Sequence, residues 1–587
     1  MECIKEKQSG SRTLYTEVRR LVRSNLLLTS LTVLVCVLAY GFFATRYTYH
    51  TDSLEMAAYE GVYLIGAGRF VAPALHCLTN IMAFSPFWQT VIFCVILLLA
   101  GFVYAVLIRR ESGNLLPDGA LFAFIASFVS APLMASQLMF PNINIGLSFL
   151  LVPLALWYVD PFSSAPSFKR FLIGVLIMTP AIDMYESFAP VFLVCVCFML
   201  LLRFCFRRDN GKNGREYVLF LLTRGVYIIG ILACAILLDF TISKIICRIF
   251  TGTFDFYYVG TTYSHWSDTT SSFVTSLKKL FCYLVIDLFL TPAENLWAFL
   301  YTGSLAVLFV LIAAVAIKNA KKNGVIKTIV GVLCFFGMFA STKALDFILY
   351  KPALLRQMQP VLIFTPFVIA LAVFYLCKLK LKPIKTVGIL LVCFVVLLQT
   401  QSINNFSVKN QERFDYEDRL LSDVCDDLIK MDIRNKQVCF YAPEDYKLPS
   451  AFQLHPSANP IAVGFRKAVY AAWDRFIPSA FMGFLNRYIS YFGPYEKAED
   501  CLRLRQVISS PESPYLSMLG MKGMAYRLQK ETLLRKGLDL DIVLDNKEYH
   551  DEFSKQYYSN TVFEKGERYR IEETDDMIQV FFISPDF

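Results

Sequence analysis

Stretches of about 20 apolar residues, each long enough to cross a bilayer as a helix, recur between residues 25 and 401. Repeated stretches of this length are typical of membrane proteins and not of soluble folds. Within a bilayer they must be helical, since a helix satisfies the polar groups of its own backbone. The composition agrees, because 56% of the 587 residues are hydrophobic and only 18% are charged. The sequence therefore predicts an all-α polytopic membrane bundle.

We predict eleven membrane-spanning helices from the positions of these stretches. They cover residues 25–44, 86–108, 118–140, 142–159, 171–183, 186–206, 217–250, 296–317, 325–341, 360–377 and 384–401. Residues 272–290 are interrupted by Lys278, Lys279 and Asp287, so we interpret them as an interfacial or re-entrant segment.

The short loops that are rich in lysine and arginine predict the orientation of the bundle, because such loops stay in the cytoplasm. This rule makes residues 1–24 a cytoplasmic arm and residues 25–403 the membrane domain. The predicted outer loops are residues 45–85, 251–295 and 342–359. The basic residues of the chain cluster in short loops between helices, where they set the orientation, so the net charge of +9 predicts no nucleic-acid partner.

From residue 404 the composition becomes mixed and polar, and residues 404–587 are predicted to form an extracytoplasmic soluble domain of α/β or α+β type. Within it we expect a helix at 415–431 and strands at 437–442, 542–544 and 578–583. The chain has 16 cysteines but no CxxC pair, which favours small core residues over metal ligands. We predict no cofactor and no metal site, and dependence on a divalent metal stays open.

Carboxylates follow the first span directly, where Asp52 and Glu55 lie in the first predicted outer loop. Their spacing is typical of a helix start, in which the aspartate caps free N–H groups and the glutamate reaches back. A carboxylate at the membrane boundary is also suited to act as a general base for an acceptor hydroxyl. Both roles stay open for this pair.

Basic residues in the outer loops are candidate ligands of a phosphate, since arginine presents a fork that matches phosphate oxygens. They are Arg69, which follows Gly68, and Lys351 and Arg356, which precede the tenth span. The alternative for each is a side chain that reaches the lipid head groups or the solvent.

Two further groups are candidate substrate ligands. Tyr185 and Glu186 follow Asp183 in the tight outer turn, where simple interfacial placement is the alternative. His265 and Trp266 lie in an aromatic outer loop and could stack on a sugar, although an aromatic belt at the membrane boundary explains them too.

Several short motifs occur in an order and spacing that extend over nearly the whole chain. They are His50-Thr51-Asp52-Ser53-Leu54, Gly68-Arg69-Phe70 with Pro73, Ser85-Pro86-Phe87, the FVSAPLM span with Asn142, DMYES at residues 183–187, Arg356 before a proline-led span, and the tail that begins NNFSVKNQERFDYEDRL. With these motifs the chain resembles the bacterial membrane glucosyltransferases of the type II O-antigen, serotype-converting family.

The resemblance implies a GT-C type bundle with an active site in its outer loops, and a sugar donor that is a polyprenyl phosphate such as undecaprenyl phosphate. It maps the family's acidic residue onto Asp52, its Gly-Arg-Phe onto residues 68–70 and its late outer arginine onto Arg356. Two departures stand out: Glu186 replaces a glutamine of the family, and the family's adjacent acids correspond here to the separated Asp52 and Glu55.

The predicted function is a membrane glycosyltransferase that moves glucose, or a similar hexose, from a polyprenyl phosphate to a cell-surface glycan. Asp52 or Glu55 would take the acceptor proton, while Arg69, Arg356 and Lys351 would bind the donor phosphate. Such an enzyme lies in the bacterial plasma membrane, among membrane lipids, and works on its outer side. A transporter of lipid-linked glycans and an assembly protein for surface polysaccharide are the alternatives from other classes.

Overall fold

The computed structural model of the chain places helices over most of the membrane domain. The residues that it describes are 13–46, 63–66, 68–79, 86–138, 142–162, 166–206, 214–254, 284, 288, 296–349, 357–431, 437–441, 556–564, 567–574 and 577–583. Six of the predicted site residues lie outside these ranges, namely Asp52, Glu55, His265, Trp266, Lys351 and Arg356. The strand predicted at 542–544 and most of segment 272–290 also lie outside them.

The helices follow the apolar stretches of the sequence. In chain order they are α1 Leu14–Ser24, α2 Leu26–Thr45, α3 Tyr63–Gly66, α4 Val71–Thr79, α5 Pro86–Glu111, α6 Asp118–Val129, α7 Met134–Gln137, α8 Asn142–Val159, α9 Phe168–Met184, α10 Phe188–Phe206, α11 Gly214–Thr251, α12 Leu296–Thr342, α13 Ala344–Leu349, α14 Gln359–Lys378 and α15 Lys382–Lys430.

Eight helical segments in the described part of the chain are long and apolar enough to cross a membrane. They lie in α2, α5, α10, α11, α14 and α15, with two in α12. Three of the predicted spans correspond to shorter helices, α6, α8 and α9. The polytopic helical bundle is therefore confirmed, whereas the count of eleven spans is not.

Helix α12 turns back on itself and supplies two antiparallel segments, 296–317 and 325–342. The hydroxyl groups of Tyr301 and Thr342 lie 2.5 Å apart, and the rings of Phe309 and Phe335 are 6.0 Å apart between centroids. A straight helix rises about 1.5 Å per residue and would hold both pairs far apart. The two segments agree with the separate spans predicted at 296–317 and 325–341.

The span predicted at 118–140 is wrong as one continuous helix. Helix α6 ends at Val129, and only the short α7 at Met134–Gln137 follows. The cause is Pro132, which lacks an N–H group and disfavours helical backbone at the residue before it. The hydroxyl group of Ser130 closes the helix end by donating to the carbonyl oxygen of Ala126 over 2.8 Å.

Aromatic rings pack the centre of the bundle. Phe367 of α14 stacks on Phe198 of α10, with 3.9 Å between ring centroids, and on Phe124 of α6 at 5.2 Å. Tyr104 of α5 meets the same ring edge-on at 6.2 Å. Aromatic pairs of this kind contribute about 0.5–1.5 kcal/mol beyond their burial, so they fix the order of these helices.

The bundle has two polar ends, which we name after one arginine each. The Arg69 end contains the C-terminal ends of α9 and α11 and the N-terminal ends of α10 and α14. The Arg110 end contains Glu111, Asp160 and Arg203, which form ion pairs between α5, the residue after α8, and α10. The buried carboxylate of Glu111 therefore has cationic partners at the Arg110 end.

Helix α15 continues for 49 residues, from Lys382 to Lys430. It merges the predicted span at 384–401 with the predicted helix at 415–431, so the boundary predicted at 404 falls inside a helix. No glycine or proline occurs between residues 389 and 430, and the helix therefore crosses the change from apolar to polar composition without a break.

A small sheet packs against the far end of α15. Its strands are β1 Gln437–Tyr441, β2 Tyr569–Glu573 and β3 Met577–Phe582, in the order β1-β3-β2, with β1 parallel and β2 antiparallel to β3. Tyr569 donates a hydrogen bond of 2.6 Å to Asp427 of α15. The strands predicted at 437–442 and 578–583 are thus confirmed to within one residue, while the soluble domain as a whole stays a prediction.

Candidate functional site

A tight reversal after α3 presents Arg69 at one end of the bundle. The N–H groups of Gly68 and Arg69 donate to the carbonyl oxygens of Ile65 and Leu64, at 3.0 and 2.9 Å. Gly68 has a φ of +80°, in the left-handed region that favours glycine because it has no Cβ. The Gly-Arg pair of the sequence therefore has a local cause: the glycine closes α3 and turns the arginine outward.

The carboxylate of Asp183 accepts hydrogen bonds from the backbone just after this reversal. Its two carboxylate oxygens accept hydrogen bonds from the N–H groups of Phe70, at 2.9 Å, and Val71, at 2.7 Å. Val71 is the first residue of α4, so a carboxylate from the end of α9 caps the positive N-terminus of another helix. Asp183 is only 2% exposed, and it ties the Arg69 loop, residues 68–70, to the body of the bundle.

Helix α11 holds the same loop through two residues one turn apart. Ser243 donates a hydrogen bond of 2.8 Å to the carbonyl oxygen of Gly68. Asp239 lies one turn earlier, and its carboxyl group is hydrogen-bonded to that of Asp183. The loop is thus fixed from two helices, α9 and α11.

The guanidinium group of Arg69 lies between an aromatic ring and a carboxylate. Its centre is 4.9 Å from the ring centroid of Tyr185, and one of its nitrogen atoms is 3.4 Å from Oε2 of Glu186. The side chain of Arg69 is 26% exposed and that of Glu186 is 49% exposed, so both are accessible to a ligand. The ring limits the directions that the guanidinium group can take.

A buried chain of polar side chains lies behind the turn between α9 and α10. Ser187 donates to Oε1 of Gln359, and Nε2 of Gln359 donates to Oε1 of Gln137 over 3.1 Å. All three residues are at most 1% exposed. The chain connects the turn that carries Tyr185 and Glu186 with α7 and with the start of α14, which limits the movement of that turn.

Three predicted site residues come together here, namely Arg69, Tyr185 and Glu186. The prediction missed Asp239, although the sequence contains a signal for it: Asp239 is the only acidic residue between positions 217 and 250. A lone carboxyl group inside an apolar helix indicates a functional or paired site. The prediction also missed Ser243, for which the sequence gives no comparable signal.

At this end of the membrane bundle the accessible guanidinium group of Arg69 lies close to several carboxyl groups. Arg69 has N–H donors for the oxygen atoms of an anionic group, and the buried ring of Tyr185 lies against its guanidinium group. Fold and site together define a polytopic membrane protein with a candidate binding site for an anionic ligand at one end.

The particular family follows from comparison with family models. The chain belongs to the family described as Glucosyl transferase GtrII, whose model matches residues 41–362, more than half of the chain. The matched range includes Arg69, Asp183, Tyr185, Glu186 and Asp239. This result confirms the resemblance seen in the sequence and identifies the protein as a glucosyltransferase. Comparisons with curated proteins and with solved structures gave no match.

Proposed function

We propose that this glucosyltransferase takes glucose, or a similar hexose, from a polyprenyl phosphate and transfers it to a hydroxyl group of a cell-surface glycan. The observation that carries the proposal is the Arg69 guanidinium group, which is anchored through its loop, backed by Tyr185 and still accessible. Arginine binds phosphate oxygens through two parallel N–H donors, and a lipid phosphate reaches a site at the end of a membrane bundle.

The reaction needs one base and a stabilised leaving group. The acceptor oxygen attacks the anomeric carbon, the bond from that carbon to the phosphate oxygen breaks, and the phosphate keeps the electron pair. The acceptor proton passes to Asp52 or Glu55, which follow the first span in the sequence. Arg69, with Arg356 and Lys351, stabilises the negative charge on the departing polyprenyl phosphate.

We further propose that Tyr185, Glu186, His265 and Trp266 bind the sugar or its acceptor. The exposed carboxylate of Glu186 offers acceptors for sugar hydroxyl groups. Its contact with Arg69 supports this role, since the first sugar ring of the donor would lie beside the proposed phosphate site.

We place the reaction on the extracytoplasmic side of the bacterial plasma membrane. Supporting this, several arginines gather at the opposite end of the bundle, among them Arg109, Arg110, Arg170 and Arg203. Basic residues near span ends favour the cytoplasm. This orientation puts the Arg69 end, and with it the glycan acceptor, outside.

The test supplies membranes containing the protein with polyprenyl-phosphate glucose labelled in the sugar. We expect Arg69→Lys to lower label transfer at least about tenfold, since the ammonium group replaces a bidentate contact by a single point charge. The matched control is Arg46→Lys. Arg46 directly follows the C-terminal end of α2, and its guanidinium centre lies 5.6 Å from the ring centroid of Phe42. We expect this variant to transfer label at the parental rate.

Different outcomes would contradict different parts of the proposal. Parental transfer by Arg69→Lys would exclude Arg69 from the phosphate site, and parental transfer by Asp52→Asn would exclude Asp52 as the base. Label that crosses the membrane with no covalent product would identify a transporter instead. Transfer from a nucleotide sugar but not from the lipid would show the donor assignment to be wrong.

A further inference from the structure

Asp239 is a carboxyl group within a membrane helix, and the proposed reaction gives it no role. It lies on α11, one turn before Ser243, and its carboxyl group is hydrogen-bonded to that of Asp183. Its Oδ1 atom is buried and has no hydrogen-bond partner among the residues that the structure describes. An ionisable group in such a place is costly, and this cost calls for an explanation.

The hydrogen bonds around the pair assign a proton to one partner. Two carboxyl groups can bond to each other only when one of them carries a proton. Asp183 already accepts two backbone N–H groups, at 2.9 and 2.7 Å, and it lies at the N-terminus of α4, where negative charge is stabilised. Asp239 is therefore the partner that donates.

We propose that Asp239 is a positioning residue that acts through Asp183 on the Arg69 loop. By donating a hydrogen bond to Asp183, it fixes the carboxylate that caps α4, and the cap sets where the chain leaves residues 68–70. Ser243, on the next turn of α11, holds the carbonyl oxygen of Gly68. One helix thus controls the Arg69 loop through two contacts, one of which depends on a carboxyl proton.

The charges near the Arg69 loop explain why a proton on Asp239 is favourable. Asp183, Glu186 and Arg69 are charged groups that act on the carboxyl group of Asp239. Three ionised carboxylates would oppose an incoming phosphate, because like charges at short distance in an apolar setting repel strongly. A proton on Asp239 removes one negative charge while keeping the contact with Asp183.

The first test measures hydrogen exchange of the full-length protein in detergent micelles, in peptides that cover residues 64–75. We expect Asp239→Ala and Asp183→Asn to speed exchange at Phe70 and Val71 by about tenfold. Asp239→Ala removes the hydrogen bond to Asp183, and Asp183→Asn removes one of the two carboxylate oxygens that accept from these N–H groups. Asp239→Asn keeps a donor, the side-chain amide, and should exchange as the parent does. Cys234→Ala, at an exposed site on the same helix, is the control.

Two results would overturn the inference. One is parental exchange in Asp239→Ala, which would mean that Asp183 caps α4 without help. The other is equally fast exchange in Asp239→Asn and Asp239→Ala, which would mean that the contact is not a donated hydrogen bond. Either result can be read without knowing the substrate.

The second test rests on the proposed function and measures label transfer from polyprenyl-phosphate glucose. We expect Asp239→Ala to raise the KM for this donor about five- to tenfold with a smaller change in kcat, since a misplaced Arg69 weakens phosphate binding. Asp239→Asn should restore the parental KM. A parental KM in Asp239→Ala would overturn the inference, whereas a parent protein that transfers no label would contradict the proposed function and leave the exchange result standing.

Discussion

Ser243 donates a hydrogen bond of 2.8 Å to the carbonyl oxygen of Gly68, which joins a membrane helix to the loop that carries Arg69. Residue 68 has left-handed backbone and takes part in the reversal after α3. Only 3% of Ser243 is exposed, so water cannot easily replace the serine at this carbonyl group.

We therefore expect Ser243→Ala to raise the KM for the proposed donor severalfold, on the order of the tenfold that about 1.4 kcal/mol represents. The measurement is label transfer at varied donor concentration. Thr241→Ala is the matched control, since the Thr241 hydroxyl group is exposed and donates only within its own helix, to the carbonyl oxygen of Leu237. Equal KM values for the two variants would contradict the role of Ser243.

The sequence predicted those parts of the site that depend on local pattern. Arg69 follows a glycine at a chain reversal, and Tyr185 and Glu186 lie in a turn between two apolar stretches. Both features can be read from a few neighbouring residues. The contact between them could not be predicted, because the two segments lie on different parts of the chain and only the packing of α9, α10 and α11 brings them together.

The fold shows the same division between local and distant causes. Apolar length predicted most helices, and the lysines between residues 317 and 328 predicted the reversal of α12. Apolar length does not predict the break at Pro132, because the residues on both sides of this proline are apolar. The pairing of Asp183 with Asp239 was missed because each residue alone looks like a helix-end or lipid-facing polar group.

Glu111 is a buried carboxylate, and we expect its neutralisation to destabilise the Arg110 end. Its side chain is 2% exposed and lies 2.9 Å from a nitrogen atom of Arg203 on α10, whose side chain is 11% exposed. Glu111→Gln removes the carboxylate charge that faces Arg203, and breaking a buried pair in this way costs about 3–5 kcal/mol. Thermal unfolding in detergent should show a clearly lower Tm.

The control for Glu111 is an exposed ion pair of similar geometry. Lys409 and Glu412 lie 2.7 Å apart, with side chains 43% and 45% exposed. Glu412→Gln should change the stability by less than about 1 kcal/mol, because water screens the pair. A Tm as high for Glu111→Gln as for Glu412→Gln would show that Glu111 does not stabilise the bundle.

Close contact of helices at Gly174 predicts a second stability effect. A Cβ atom at this position of α9 would lie 2.6 Å from Cγ2 of Val159 and 3.2 Å from Cδ1 of Ile231. Gly174→Ala should therefore lower stability by about 1–3 kcal/mol through overpacking. Gly225→Ala is the control, since nothing lies within 4 Å of its Cβ position and alanine favours a helix. A Tm for Gly174→Ala at or above that of Gly225→Ala would contradict the prediction.

The sheet near the C-terminus should lose stability in acid through Glu567. Arg570 donates two hydrogen bonds of 2.7 Å to its carboxylate, and these hold the pKa of Glu567 below its usual 4.5. A lowered pKa means that the ionised form stabilises the fold, so this contribution is complete above pH 4.5 and is lost as the pH falls through the lower, folded-state pKa.

The corresponding measurement compares the apparent Tm of the parent and of Glu567→Gln over a range of pH. The parent should unfold at the higher temperature near neutral pH, and the difference should shrink as the pH falls below 4.5. A difference that stays constant down to about pH 3 would show that the ion pair with Arg570 does not cause it.

The ring of Tyr185 should matter to the site because it orients Arg69. The guanidinium centre lies 4.9 Å from the ring centroid, a contact that contributes about 0.5–1 kcal/mol at a partly exposed site. Tyr185→Leu should therefore raise the KM for the proposed donor about two- to fivefold. Tyr185→Phe keeps the ring and should stay closer to the parental KM. If label transfer shows the same KM for both variants, the ring of Tyr185 does not position Arg69.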